Sequence, residues 1–214
     1  MTDPERLRYR LRFHKTEAMR FTGHLDLHRA LERTIRRSGL PLAYTRGFSP
    51  HPRLQLAAAL PLGFVSRAEV ADLWLEQPLA APDVLSRLQA AAPPGMEFLE
   101  ARVAPADEPA LQQQVTGATY AVVVAGPPPA DLDERVRALL STPSLLRQRR
   151  GKPYDLRPLI GSLEHQGGGR LAMHLSAREG ATGRPDEVIE ALGLDPLSAD
   201  IERTSLTYAV PSLE

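Results

Sequence analysis

The sequence predicts an α+β chain made of two tandem ferredoxin-like (βαββαβ) units with antiparallel sheets, and three observations carry that expectation. Arg6 to Phe13 alternates without a break, with Leu7, Tyr9, Leu11 and Phe13 on one side and Arg6, Arg8, Arg10 and Arg12 on the other. Period two over eight residues is the signature of a strand with one buried face. Downstream of it the pattern runs helix, strand, strand, helix, strand. After residues 105–118, which carry proline and glutamine but no strong periodicity, the same order recurs. The expected organisation is a first unit at 1–104, a connector at 105–118 and a second unit at 119–214.

Each element has its own justification. A helix at about 25–38 follows from Leu27, Leu31 and Ile35 on one face, and Gly39-Leu40-Pro41 ends it, because glycine accepts the left-handed conformation and proline cannot continue the ladder. Leu54, Leu56 and Ala58 suggest a second strand. Ala68–Glu76 suggests a third, with Ala71, Leu73 and Leu75 inward and Val70, Asp72, Trp74 and Glu76 outward. Pro82-Asp83 opens a helix closed by Pro93-Pro94-Gly95, and Met96–Val103 is the fourth strand. In the second half, Thr119–Ala125 reads as a strand and Leu132, Val136, Leu139 and Leu140 as one helical face. A strand is expected near Leu156–Ser162, a turn at Gly167–Gly169, and a strand at Arg170–Ser176. A helix after Pro185-Asp186 and a last strand at about Ile201–Val210 complete the order.

Composition narrows the chemistry. There is no cysteine, which excludes disulfides and thiolate-held iron–sulfur clusters in this chain. No His-Glu-x-x-His motif, P-loop, Gly-x-Gly-x-x-Gly or Gly-x-Ser-x-Gly is present, so neither a metal nor a nucleotide cofactor is expected. No apolar run approaches a membrane span, and the N-terminal residues lack a signal-peptide core, so a cytoplasmic chain with no membrane partner is expected. Net charge is zero, yet residues 1–54 carry 12 basic and 5 acidic side chains while residues 55–142 carry 5 and 11. Such asymmetry favours a local, salt-sensitive anionic partner at the basic end.

The basic end is concentrated in Gly23–Arg53. At about 100° per residue, Arg29, Arg33, Arg36 and Arg37 share an arc of roughly 100° opposite the apolar face. The loop that follows, Arg46-Gly47-Phe48-Ser49-Pro50-His51-Pro52-Arg53, holds a histidine between two prolines and is flanked by arginines and a phenylalanine. His24 and His28 project on the wheel toward Leu31 and Ile35, which favours histidines packed at the core edge over metal ligands. Asp26 suits the first helical turn. A second cluster, Arg147, Arg149, Arg150, Lys152 and Arg157, reads either as a solvated hairpin or as a phosphate clamp.

The runs Arg20-Phe21-Thr22-Gly23-His24-Leu25-Asp26, Arg36-Arg37-Ser38-Gly39-Leu40-Pro41 and Gly47-Phe48-Ser49-Pro50-His51-Pro52 resemble the uncharacterised radical SAM-linked protein family. Asp155-Leu156-Arg157-Pro158 and Arg203-Thr204 extend the resemblance toward the end of the chain. It implies a radical SAM protein as partner, encoded beside such chains or fused to them, and no established activity. The expectation is an accessory module that binds a structured RNA, such as tRNA or rRNA, and presents it for modification. Arg29, Arg33, Arg36, Arg37, Arg46, Arg53 and the 147–157 cluster would meet phosphates, and Phe48 and His51 a base or strand end. The alternatives are a metal-independent RNA endonuclease using His51 as its catalytic histidine, and a protein–protein adaptor without nucleic acid.

Overall fold

The computed structural model describes residues 7–149 and 151–209. The chain divides into two compact units, Met1–Gln114 and Val115–Glu214, each a mixture of helices and antiparallel strands.

The first unit contains β1 (Leu7–Lys15), α1 (His24–Arg37), β2 (Leu54–Leu56), β3 (Phe64–Leu75), α2 (Ala81–Ala91), β4 (Met96–Val103) and a single turn, α3 (Leu111–Gln114). β1 pairs antiparallel with β3 and β4, and β2 pairs antiparallel with β3, giving the order β2-β3-β1-β4. Tyr9, Leu11 and Phe13 of β1 pack in one core with Leu27, Leu31 and Ile35 of α1 and Val84 and Leu88 of α2. The strand side chains alternate and the helical ones recur every third or fourth residue, so both elements commit one face to the same apolar volume. α1 stops where expected: Ser38 caps it, its hydroxyl donates to the Ile35 carbonyl at 2.7 Å, and Gly39 follows at φ 66°.

Part of the polar face of β1 is buried as well. Arg10 is 2% exposed and Asp72, across the ladder in register with it, is fully buried. Their side chains form a bidentate pair, Nε to Oδ1 at 2.7 Å and Nη2 to Oδ2 at 2.8 Å. Residues 105–114 also engage this face. Arg8 donates to the carbonyls of Pro105 at 2.9 Å and Glu108 at 2.6 Å, and Arg10 reaches the carboxylate of Glu108 and the amide oxygen of Gln114. Arg8 and Arg10 are therefore not part of an open surface, while Arg12 stays exposed. A guanidinium can be buried only where acceptors meet its donors, and a non-repetitive, proline-bearing segment leaves carbonyls outside any ladder to serve. Residues 105–114 belong to this unit by those contacts rather than acting as a free connector. Arg6 lies outside the described residues.

The second unit contains β5 (Val115–Val124), α4 (Leu132–Ser141), β6 (Leu146–Arg149), β7 (Lys152–Asp155), β8 (Ile160–His165), β9 (Arg170–Arg178), β10 (Ala181–Thr182), α5 (Pro185–Ala191) and β11 (Ala199–Tyr208). Its antiparallel pairings give the order β8-β9-β5-β11, with β10 also on β9. β5 starts at Val115 rather than Thr119. The strand expected near 156–162 is β8, preceded by a 3-10 turn at Arg157–Leu159. The basic run between α4 and β8 forms the two-stranded ribbon β6–β7.

Candidate functional site

The first unit carries an open cleft of about 570 Å³ between α1, the loop preceding β2, and β3. α1 supplies His28, Arg29 and Glu32, the loop supplies His51 and Arg53, and β3 supplies Trp74. Local backbone bonds fix the loop. The amide of Thr45 donates to the His51 carbonyl at 2.9 Å, that of His51 to the Thr45 hydroxyl at 3.1 Å, and that of Arg53 to the Ala43 carbonyl at 2.7 Å. Ala43 and Arg53 each bond the backbone of Trp74 in turn, at 2.9 and 3.2 Å. The prolines at 50 and 52 restrict the same segment, so the cleft wall is held without long side-chain tethers.

Glu32 lies at the centre of the charged groups. The Nδ1 atoms of His28 and His51 both stand 3.8 Å from its Oε1. That is ion-pair range for a protonated ring and beyond hydrogen-bond range for either ring state. Arg53 stacks its guanidinium 4.8 Å from the centroid of Trp74, a planar cation on the best aromatic acceptor. Arg29 extends from the rim, paired at 3.1 Å with Asp26 one turn earlier.

Of the sequence-predicted residues, the cleft gathers Arg29, His51 and Arg53. Arg33 and Arg36 are exposed on α1 and have no ion-pair or hydrogen-bond partner among the described residues. Arg46 and Phe48 are exposed in the loop, and Phe48 makes essentially no packing contact, at 111% relative exposure. Arg37 stands apart from this group: its Nη2 donates to the Ala91 carbonyl at the end of α2, beside a second open cleft that Arg87 also lines. His28 is half-buried and lines the cleft, with Glu32 one turn along at 3.8 Å. Glu32 was not singled out by sequence reading, whereas Trp74 was placed on the outward side of its strand. The His28–Glu32 spacing of four was the available signal for the first.

Two members of the second basic cluster, Arg149 and Arg157, are engaged by groups of the same unit. Arg149 donates to both carboxylate oxygens of Glu187, at 3.2 and 2.6 Å, and to the Thr182 carbonyl, and stacks 4.6 Å over Tyr154. The Tyr154 hydroxyl also donates to Glu187. Burial first, then the Glu187 hydrogen bond and charge, push the Tyr154 phenol up to about 12 against the opposing pull of Arg149. Arg157 caps α4, with Nε and Nη2 on the Leu140 carbonyl at 3.0 and 2.7 Å. Lys152 is exposed and Arg147 half-buried; Arg150 lies outside the described residues.

The chain is a mixed α+β protein whose first unit carries a cleft lined by arginines, histidines, one carboxylate and one tryptophan. Among the described residues no group of three or more His, Asp or Glu side chains is arranged to hold a metal ion. No helix among them is long and apolar enough to cross a membrane. The chain belongs to the family described as an uncharacterised protein conserved in bacteria (DUF2344), whose family model matches residues 8–185. No curated protein matches it. One of the solved structures it resembles is that of an unknown protein from Galdieria sulphuraria, at 15% identity and a TM-score of 0.29, covering 96% of this chain and 100% of that one. A likeness that loose assigns neither fold nor function.

Proposed function

We propose that this chain is an accessory module that binds a structured RNA, such as tRNA or rRNA, and presents it to a radical SAM partner enzyme in the cytoplasm. The observation that carries the RNA reading is the combination on one side of α1: exposed, unpaired Arg33 and Arg36, the cleft with its Arg53–Trp74 stack, and a loop bearing an unpacked Phe48. Free guanidinium groups grip phosphate, and planar groups accept unstacked bases. The pairing orders β2-β3-β1-β4 and β8-β9-β5-β11 support reading each unit as ferredoxin-like, with β6–β7 and β10 as additions to the second. The partner rests on the sequence resemblance alone; it would supply the radical chemistry that a cysteine-free chain lacks.

The test is RNA retention at two salt concentrations by the intact chain and by an Arg33→Glu/Arg36→Glu variant. The expected result is salt-sensitive binding that weakens about tenfold or more in the variant, since two phosphate contacts are replaced by repulsion. Absence of retention by the intact chain at low salt would discard the RNA reading. A protein-only adaptor is favoured by a different observation. Phe21, Leu25 and Leu62 are 81%, 70% and 62% exposed, and Arg20 and Gly63 hydrogen-bond across the two segments that carry Phe21 and Leu62. Exposed apolar groups this close together mark protein contact surfaces. Capture of the purified partner without RNA, lost on Phe21→Ser/Leu62→Ser substitution, would establish that reading.

A further inference from the structure

Among the described residues, Glu32 is the one carboxylate lining the cleft of the first unit, a feature that phosphate binding alone does not use. Its side chain is 16% exposed, and the Nδ1 atoms of His28 and His51 stand 3.8 Å from its Oε1 at the cleft wall. A carboxylate facing a cleft offers two adjacent acceptor oxygens to a ligand's donors. The cleft surrounding it offers a planar platform, the Arg53 guanidinium backed by Trp74, whose geometry is set by the bonds that hold Arg53 and Trp74 side by side in the backbone. A flat ligand that brings donors to Glu32 and a face to Arg53 fits this arrangement.

We infer that this cleft is a base-recognition pocket for one unpaired guanine, stacked on Arg53 with its Watson–Crick edge on Glu32. Guanine is the common RNA base that presents two adjacent donors, N1–H and the N2 amino group, at the spacing of a carboxylate's two oxygens. Adenine and cytosine each offer one amino donor beside an acceptor, which a carboxylate repels, and uracil offers a single N–H between two carbonyls. The Nδ1 atoms of His28 and His51 stand 3.8 Å from one oxygen of Glu32, and Arg29, which also lines the cleft, supplies a cation for a nucleotide's phosphate. The pocket is open, about 570 Å³, and large enough for a purine nucleotide with its sugar edge in solvent. This inference rests on the RNA-binding reading for its biological ligand, but its chemistry can be tested apart from it.

Trp74 is the sole tryptophan of the chain, so its fluorescence reports occupancy of this cleft. The intact protein is titrated at low salt with GMP, AMP, CMP, UMP and ribose 5-phosphate, and retention of a structured RNA is measured in parallel. The expected result is saturable quenching by GMP at concentrations about tenfold or more below those needed for the other nucleotides, the discrimination of one bidentate base contact. Ribose 5-phosphate should leave the fluorescence unchanged. Glu32→Gln, which replaces one acceptor oxygen by a donor, should remove the preference for guanine. Arg53→Lys, which keeps the charge and loses the plane, should weaken all four nucleotides. Equal quenching by all nucleotides, an unchanged guanine preference in Glu32→Gln, or no quenching by GMP overturns the inference. RNA retention without a guanine response overturns the base pocket and leaves the RNA reading standing. A guanine response without RNA retention supports the pocket and removes the RNA reading.

Discussion

Arg10 shows how a single side chain changes meaning when its partners are known. As part of an alternating stripe it suggests a solvent face; in the structure it joins Asp72 on one side and Glu108 on the other, and Arg102 grips Glu108 in turn at 3.1 and 3.2 Å. Removing Asp72 leaves a buried guanidinium short of acceptors. Asp72→Ala is therefore expected to lower stability by about 3–5 kcal/mol, the usual cost of orphaning one member of a buried pair. Denaturant titration followed by Trp74 fluorescence measures it. Replacing both partners, Arg10→Met with Asp72→Leu, should recover most of that loss, because it removes the desolvated charges together and Glu108 keeps Arg102. A double variant as unstable as Asp72→Ala would show that the pair contributes more than a satisfied burial. The alternation itself was legible in sequence, since Leu7 to Phe13 repeats every second residue. Asp72, outward on the neighbouring strand, was legible as an acceptor too; Glu108 was not, because it lies 98 residues further along in a segment without periodicity.

At the scale of elements, the ribbon β6–β7 depends on a tether outside itself. Two strands of four residues are marginal alone, and Arg149, Tyr154 and Glu187 bind the ribbon to α5. In Glu187→Gln the ribbon is expected to exchange its amide hydrogens faster than in the parent, and the Tyr154 phenol to titrate below about 12, nearer the ordinary tyrosine value of about 10. Hydrogen exchange and ultraviolet pH titration read the two effects. Lys152→Ala, at an exposed position in the same ribbon, should leave both unchanged. From sequence the segment was visible only as a basic run, since its determining carboxylate comes from a helix that follows β8, β9 and β10. α1 was far more legible: the Leu27, Leu31 and Ile35 spacing, the Gly39 stop and the outward arginines are all local properties. Glu32 fell between these cases. Its spacing from His28 was on the page, but its meeting with His51 is made by the Thr45–His51 loop closure, which no helical wheel contains.

For the molecule as a whole, zero net charge hides carboxylates and one histidine that tie stability to pH in opposite directions. In the first unit, burial alone would raise the Glu108 carboxyl, but the hydrogen bond from Arg102 and the charges of Arg10 and Arg102 outweigh it and hold it below the ordinary value. In the second unit, the amide of Leu145 donates to Asp155 at 2.7 Å and the amide of Arg157 at 3.0 Å, and Asp155 is likewise depressed. A carboxyl whose folded pKa is lowered contributes stability above its unfolded value and loses it as pH falls through the folded one. His165 has the opposite sign. The Gly168 carbonyl at 2.7 Å and Asp133 at 2.8 Å give both ring nitrogens an acceptor, which only the protonated ring can satisfy, so its pKa is raised. Its contribution is complete below the unfolded histidine value of about 6.5 and fades as pH rises through the folded one. Denaturation midpoints taken from acid to mildly alkaline pH should therefore fall on both sides, steeply below about pH 4 and weakly above neutrality. Glu108→Gln should flatten the acid limb seen by Trp74, which lies in the same unit, and leave the alkaline decline intact; His165→Gln should do the reverse by circular dichroism. If Glu108→Gln leaves the acid limb as steep as in the parent, the Arg10–Glu108–Arg102 chain does not control acid stability, and the burial of Arg10 is balanced by Asp72 alone.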